Sequence, residues 1–350
     1  MVAVPLGIPL VRPAPAGSGA VRPAGLSGLA DQHGRVATDL RVSVTDRCNL
    51  RCTYCMPAEG LPWLPSGELL TDGELIRVIS VATGLLGVRE VRFTGGEPLL
   101  RPGLPAIVRA TGARTSITTN GLRLGRLAVP LAEAGLGRVN VSLDTLDPLR
   151  FGALTRRDRL ADVFAGLRAA VAAGLAPVKL NTVLMRGVND DEAPALLEFA
   201  LEHGYELRFI EQMPLDAQHG WSRSEMVTAA EILAALSSRF TLTPDPSARG
   251  GAPAETWLVD GGPAKVGVIG SVTRPFCGDC DRTRLTADGQ VRTCLFSVTE
   301  TDLRGPLRAG ASDDDLAELW REAMWGKLPG HGIDDPAFLQ PVRPMSAIGG

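Results

Sequence analysis

The chain has 350 residues, 45% of them hydrophobic, which is enough to bury a full core and more than one compact domain usually holds. Its 36 Lys and Arg against 39 Asp and Glu leave a net charge of −3. That balance excludes the electrostatic footprint of a nucleic-acid or anionic-membrane binder, so any anionic substrate must be met by a local cluster of cations.

Residues 1–37 mix Pro, Gly and Ser. Pro5, Pro9, Pro13 and Pro15 interrupt the apolar positions, and no charged region precedes an unbroken apolar segment as a secretory signal requires. The expectation is a flexible tail on a cytoplasmic protein. No apolar run later in the chain approaches the roughly 20 residues needed to span a bilayer.

From Leu40 a rhythm begins in which a short β-branched run, a Gly or Pro punctuation and a longer Ala/Leu-rich segment alternate. Strands are predicted at 40–45, 90–95, 114–120, 138–144, 177–184 and 206–211, with the clearest helices at 72–87 and 158–175. Strand and helix in alternation require right-handed parallel crossovers. The predicted fold is therefore α/β, an incomplete (β/α)6 TIM-type barrel over residues 38–242, short of the eight units that close a full one. A further helix is expected at 227–240 and a Pro/Gly-rich loop at 243–255, and residues 243–350 read as a smaller C-terminal domain.

All six cysteines fall in two tight groups, Cys48, Cys52 and Cys55, then Cys277, Cys280 and Cys294. In a reducing compartment such clustering points to metal or redox chemistry before disulfides. The first group, C-x3-C-x2-C, directly follows a predicted strand, where barrel folds gather their chemistry. Three thiolates can cap three irons of a four-iron cluster and leave the fourth iron open for a chelating molecule. Zinc, with His33 as a fourth ligand, and unligated reactive thiols are the competing readings. Downstream, the GGEP run at 95–98 offers Gly95 and Gly96 for close backbone approach to a ligand and Glu97 to accept from an ammonium, although a strand-ending turn would look the same.

With Tyr54 just before its last cysteine and with GGEP after the second strand, the sequence resembles the radical S-adenosylmethionine superfamily. The second group, C-x2-C-x13-C, is threaded by Arg282, Arg284 and Arg292, which a structural zinc knuckle has no need of. The motifs RVSVTDRCNLRCTYC, VRFTGGEPLLR, TTNG, VNVSLD, KLNTVLMRGVND, RFIEQM and CGDCDRTRLTADGQVRTCL, and the terminal Gly349 and Gly350, are similar from about residue 38 onward to the molybdenum cofactor biosynthesis protein A family, the GTP 3',8-cyclases.

The resemblance implies two 4Fe-4S clusters, on Cys48, Cys52 and Cys55 and on Cys277, Cys280 and Cys294, with S-adenosylmethionine at the first and GTP at the second. It implies that Tyr54, Gly96, Ser142 and Met213 contact S-adenosylmethionine and that Arg41, Arg92, Thr118, Lys179, Arg282, Thr283 and Arg284 contact GTP, Arg282 and Arg284 also standing near the catalytic step. Of these, Arg41, Arg92 and Lys179 lie within predicted strands, where an inward cation facing a polyanion explains the charge better than a solvent-facing one. The implied reaction is that of a lyase: hydrogen leaves C3' of the GTP ribose and the sugar carbon bonds to guanine C8. Implied partners are a reductase as electron donor and a downstream cyclic pyranopterin monophosphate synthase, with no nucleic acid and no membrane. A homodimer is the candidate assembly, and the oligomeric state stays open. Arg156, Arg157 and Arg159 read as a solvated helix start, and His203, His219 and His331 receive no role. A radical enzyme acting on peptides with an auxiliary iron-sulfur cluster, and an iron-sulfur electron carrier, are the alternative functions.

Overall fold

The computed structural model describes residues 21–23, 25–336 and 338–349. Strands form where β-branched runs were expected: β1 (Asp39–Ser43), β2 (Glu90–Thr94), β3 (Arg114–Thr119), β4 (Arg138–Ser142), β5 (Val178–Val183) and β6 (Glu206–Ile210). Six more follow, β7 (Leu242–Pro244), β8 (Glu255–Val259), β9 (Lys265–Ile269), β10 (Arg282–Leu285), β11 (Gln290–Arg292) and β12 (Thr301–Asp302). The helices are α1 (Asp72–Leu85), α2 (Leu104–Ala110), α3 (Leu124–Glu133), α4 (Pro148–Thr155), α5 (Leu160–Ala172), α6 (Ala193–Glu202), α7 (Ala229–Ser237), α8 (Arg304–Arg308), α9 (Asp313–Trp325) and α10 (Met345–Ile348). Reciprocal capping boxes start α1 at Thr71 and Glu74, α7 at Thr228 and Glu231, and α9 at Ser312 and Asp315, which satisfies backbone donors that the first turn would leave free.

Strands β1 to β6 pair in parallel and in sequence order, as an incomplete barrel requires. The C-terminal strands do not stand apart from them. Strand β10 pairs in parallel with β1 and β9 with β6, so the later part of the chain flanks both edges of one sheet ordered β12-β11-β10-β1-β2-β3-β4-β5-β6-β9-β8-β7. Among the described residues no pairing joins β9 to β10, and the barrel stays open between them.

Helices cover the outer face. Leu40, Val42, Val91, Phe93, Leu180 and Phe209 turn outward to them and are fully buried with Leu75, Ile79, Leu167 and Leu197. Both faces of β1 and β10 are buried at every position. Because side chains alternate along a strand, Asp39, Arg41 and Ser43 of β1 must then point into the lumen, and an interior of polar side chains has to find partners there.

The flexible tail expected to residue 37 is corrected over its last part. Leu29 and Ala37 are buried in the main core, Ala30 bridges Val36, and the Arg35 guanidinium donates to Asp31, Cys277 O, Leu328 O and Pro329 O. A buried cation with that many acceptors ties the segment to the second cysteine group. Residues 1–20 lie outside the described residues.

At the other end of the barrel, Glu211 locks three elements. Its fully buried carboxylate accepts from Ala229 N at 2.6 Å, Val272 N at 2.8 Å, Thr273 N at 2.9 Å and the Thr273 hydroxyl. The Glu211→Ala variant strands those donors away from water and is expected to lose about 3–5 kcal/mol in urea unfolding. Among the described residues no helix is long and apolar enough to cross a membrane.

Candidate active site

The first three cysteines occupy the loop that leaves β1. Arg51 N and Thr53 N donate to Thr155 O and Leu154 O, 3.0 and 2.9 Å away, and Cys55 N and Met56 N both turn back onto Cys52 O. Arg156, expected to be solvated, instead takes the left-handed conformation at φ 54° and clamps the loop through Arg51 O at 2.8 Å and Met56 O at 3.1 Å. All six cysteines are free. Burial pushes the Cys48 thiol up to about 11 and Cys55 up to about 12, and it raises Cys52 as well; Glu97 adds to the rise at Cys48, and neighbouring thiols add to it at Cys52 and Cys55. Three half-buried thiols close together resist ionising by themselves, and a cationic metal cluster is what would release their protons. The residues present therefore fit a three-thiolate iron-sulfur centre.

The GGEP run lies against the chain leaving β1. Gly96 N donates to Thr45 O and Glu97 N to Arg47 O, both at 2.8 Å. A Cβ on Gly95 would come 2.2 Å from Thr45 O, and one on Gly96 would come 2.4 Å from Arg47 O, so glycine is required by the cysteine loop itself. The reading of Glu97 as an ammonium acceptor is corrected: fully buried, it accepts from Leu99 N, Asn120 N and the Thr119 hydroxyl and braces the turns after β2 and β3.

Tyr54 donates to Asp144 at 2.7 Å and, with Cys55, Met213 and Met345, lines an apolar cavity of about 50 Å³. Ser142 ends β4 beside Asn181. Burial pushes the Asp144 carboxyl up to about 6, against the pull of Val183 N and the Tyr54 hydroxyl. The folded chain then keeps a proton that the unfolded chain has released, so stability falls as pH rises from about 3.9, the usual unfolded value, through about 6. The Asp144→Asn variant is expected to lack that loss of about 2–3 kcal/mol when both proteins are unfolded in urea across this window.

Strand register gathers the cations. Arg284, Arg41 and Arg92 are consecutive partners across β10, β1 and β2, and Arg92 donates to Ser116, two residues before Thr118 on the same face of β3. Lys179 is the partner of Asn140. Arg138 and Arg208, which the sequence reading left out, belong to the same interior: Arg208 donates to Asn140 at 2.6 Å, and the Nε atoms of both arginines are buried without a partner, as are Asn181 Oδ1 and Ser43 Oγ. Carboxylates at strand starts offset some of this charge, Asp39 on Arg41, Glu90 on Arg92 and Arg138, and Glu206 on Lys179. The cations still outnumber them. Burial and then mutual repulsion hold Arg92 well below the usual guanidinium range, Arg284 at about 9 and Arg208 at about 10. A polyanion in the lumen would relieve all of these at once.

The second cysteine group closes through the antiparallel hairpin β10–β11, which returns Cys294 beside the single turn Cys277–Asp279. Alternation on β10 corrects one expectation. Arg282 and Arg284 face the lumen, but Thr283 is turned outward, fully buried, and accepts from Trp320 Nε1 of α9 at 2.9 Å. Its side chain serves the core and does not reach the basic interior. Arg292 is likewise occupied, in a buried ion pair with Glu300. His33, considered as a zinc ligand at the first group, sits beside the second, across a polar cavity of about 440 Å³ from Cys280.

Finally, the C-terminal segment enters the lumen. Arg284 Nη1 donates to Gly349 O, and a Cβ on Gly349 would lie 2.5 Å from both Ser43 Oγ and Thr94 Cγ2. Arg343 anchors the segment through Asp288 at 2.8 and 2.9 Å and through Glu300. Gly350 lies outside the described residues.

An open parallel barrel with three free thiols on the loop after its first strand defines the class, the radical S-adenosylmethionine enzymes. The radical SAM superfamily model matches residues 42–200, and Streptococcus suis SuiB solved with S-adenosylmethionine shares the fold at a TM-score of 0.57 and 15% identity, over 81% of this chain and 65% of that one. The Molybdenum Cofactor Synthesis C model matches residues 205–333. A GTP 3',8-cyclase of Streptomyces coelicolor is 67% identical, covering 92% of this chain and 96% of the relative. One of Mycobacterium sp. strain KMS is 58% identical over the whole of both chains, and one of Corynebacterium glutamicum is 59% identical over 92% and 89%. This chain belongs to the GTP 3',8-cyclase family.

Proposed function

We propose that the chain converts GTP to 3',8-cyclo-7,8-dihydro-GTP in molybdenum cofactor synthesis, with the two cysteine groups as ligands of two four-iron clusters. Cys48, Cys52 and Cys55 hold one cluster, and Cys277, Cys280 and Cys294 hold the other. When bound, S-adenosylmethionine at the first cluster would supply, on one electron from the reductase, the adenosyl fragment that takes hydrogen from ribose C3', and closing C3' onto C8 would take a second electron from the reductase and a proton. The residues of the chain bind, orient and exclude water. Tyr54, Gly96, Ser142 and Met213 frame S-adenosylmethionine at the ends of β1, β2, β4 and β6, and the Asp144 bond fixes the Tyr54 ring. Arg41, Arg92, Lys179, Arg282 and Arg284, with Arg208 and the Thr118 hydroxyl, hold the triphosphate, and Arg282 and Arg284 keep the nucleotide beside the second cluster.

Catalysis of this kind is mostly positioning, because one C–H bond must be presented in van der Waals contact to one carbon and the C3' carbon then brought onto C8. The observation that carries the reading is the register of Arg284, Arg41 and Arg92 across three strands, an under-neutralised interior between the two thiol groups. The C-terminal segment, entering beside Ser43 and Thr94, closes that interior from water. Division at residue 242 then separates the two cysteine groups, while the cations that hold the triphosphate come from both sides of it. The setting is cytoplasmic, with a reductase as electron donor, a cyclic pyranopterin monophosphate synthase consuming the product, and a homodimer as the assembly.

Anaerobic reconstitution with iron and sulfide tests this. About eight irons per chain are expected. Addition of dithionite, S-adenosylmethionine and GTP is expected to yield 5'-deoxyadenosine and the cyclic nucleotide together. Zinc in place of iron, or turnover of S-adenosylmethionine without any change in GTP, would overturn it.

A further inference from the structure

Lys327 follows α9, outside every motif used so far, and is only 4% exposed. Its ammonium donates to Arg282 O at 2.8 Å and Cys280 O at 3.2 Å and lies 3.5 Å from Cys280 Sγ. Arg282 Nη1 approaches the same sulfur at 3.7 Å. Two carbonyls alone do not account for a buried ammonium, because a neutral donor would satisfy them without the several kcal/mol that an unpaired buried charge costs. Among the described residues Lys327 forms no ion pair with a carboxylate, and the third acceptor at its ammonium is the Cys280 sulfur.

Two residues of this group, Cys277 and Cys280, are held differently. Cys277 has its carbonyl oxygen held by Arg35 at 2.7 Å. Cys280 Sγ instead faces two charged donors, Lys327 Nζ at 3.5 Å and Arg282 Nη1 at 3.7 Å. N–H···S bonds from a cation draw electron density off a ligand sulfur and favour the more reduced, more negative state of the cluster it holds.

We propose that Lys327 is a positioning residue of the second cluster, which raises that cluster's reduction potential through a charged N–H···S bond to Cys280. The proposal rests on the assignment of Cys277, Cys280 and Cys294 as cluster ligands. It also gives a reason for the asymmetry of the site, in which one sulfur carries two cations while the substrate cations Arg282 and Arg284 run on from it along β10.

The test is a redox titration of reconstituted holoenzyme followed by electron paramagnetic resonance. The second cluster is the signal that GTP perturbs, and the first is the one that S-adenosylmethionine perturbs. In Lys327→Met the GTP-responsive signal is expected to move to more negative potential by at least tenfold in its reduction equilibrium, about 59 mV for one electron. Lys327→Arg, which keeps the charge, is expected to stay near the wild type, and the other signal is expected not to move in either variant. Loss of the second cluster's iron from Lys327→Met but not from Lys327→Arg would also support the role of the charge. An unshifted potential in Lys327→Met, or the same shift or iron loss in both variants, would overturn it. A wild type with no GTP-responsive signal would sink the cluster assignment itself, and this proposal with it.

Discussion

Cys52→Ser is expected to lose about half of the protein's iron and to abolish S-adenosylmethionine cleavage, while Cys294→Ser loses the other half and keeps the first cluster. The physical reason is that each group supplies three sulfurs, and the first has no other ligand at hand among the described residues. His33 is beside the wrong group for the first, and Glu97 is spent on Leu99, Thr119 and Asn120. With no spare ligand within the loop, a serine oxygen leaves a cluster held at two points. Product formation falls to background in both variants, but for different causes that iron analysis and 5'-deoxyadenosine release separate. A Cys294→Ser protein that still cyclises GTP would refute the role given to the second group.

Arg284→Ala is the second large effect. Arg284 is buried, is the register partner of Arg41 and Arg292, and its guanidinium donates to Gly349 O. Removing it takes away a proposed triphosphate contact and the anchor of the C-terminal segment together. A loss of about 10²–10³ in kcat/KM for GTP is expected, with iron content unchanged. Arg284→Lys keeps the charge without the planar fork and is expected to recover only part of the loss. Gly349→Ala separates the two contributions, since its Cβ would meet Ser43 and Thr94 and expel the segment while leaving every cation in place. If Gly349→Ala cyclises GTP at the wild-type rate, the closure of the lumen by this segment is wrong.

These effects follow from where the charges sit in the sheet. Asp39, Glu90 and Glu206 each begin a strand, and Arg41 and Arg92 come two residues later. The carboxylates orient the cations, and positive charge remains in excess in the lumen. A net charge of −3 on the whole chain coexists with a basic interior because the sheet sorts residues by face.

Much of this was legible beforehand. The strand and helix rhythm predicted β1 to β6 within a residue or two at most ends, and the helix expected at 158–175 is α5. Charged residues inside strands marked Arg41, Arg92 and Lys179. The same criterion applied to RVNVS and ELRFI would have found Arg138 and Arg208, which are strand cations of the same kind. Thr283 was misplaced because a motif of three consecutive residues cannot all face one way on a strand, and its phase shows only when β10 is seen against β1 and α9. Arg156 carried no local signal, since its clamp on the cysteine loop depends on a left-handed turn at the end of α4.

What the amino-acid order determined by itself is the chemistry of the ligands: two sets of three thiols at short spacing, glycines where a chain must pass close, and cations inside apolar runs. Those signals are local, because spacing, steric bulk and alternation act over a few residues. Only the tertiary structure decided that the ends of the sheet are supplied by β9 and β10, that Arg35 and Lys327 knit distant segments around the second group, and that Gly349 meets Arg284 in the lumen. These contacts join residues far apart in sequence through strand register and side-chain direction, which depend on the packing of the whole barrel.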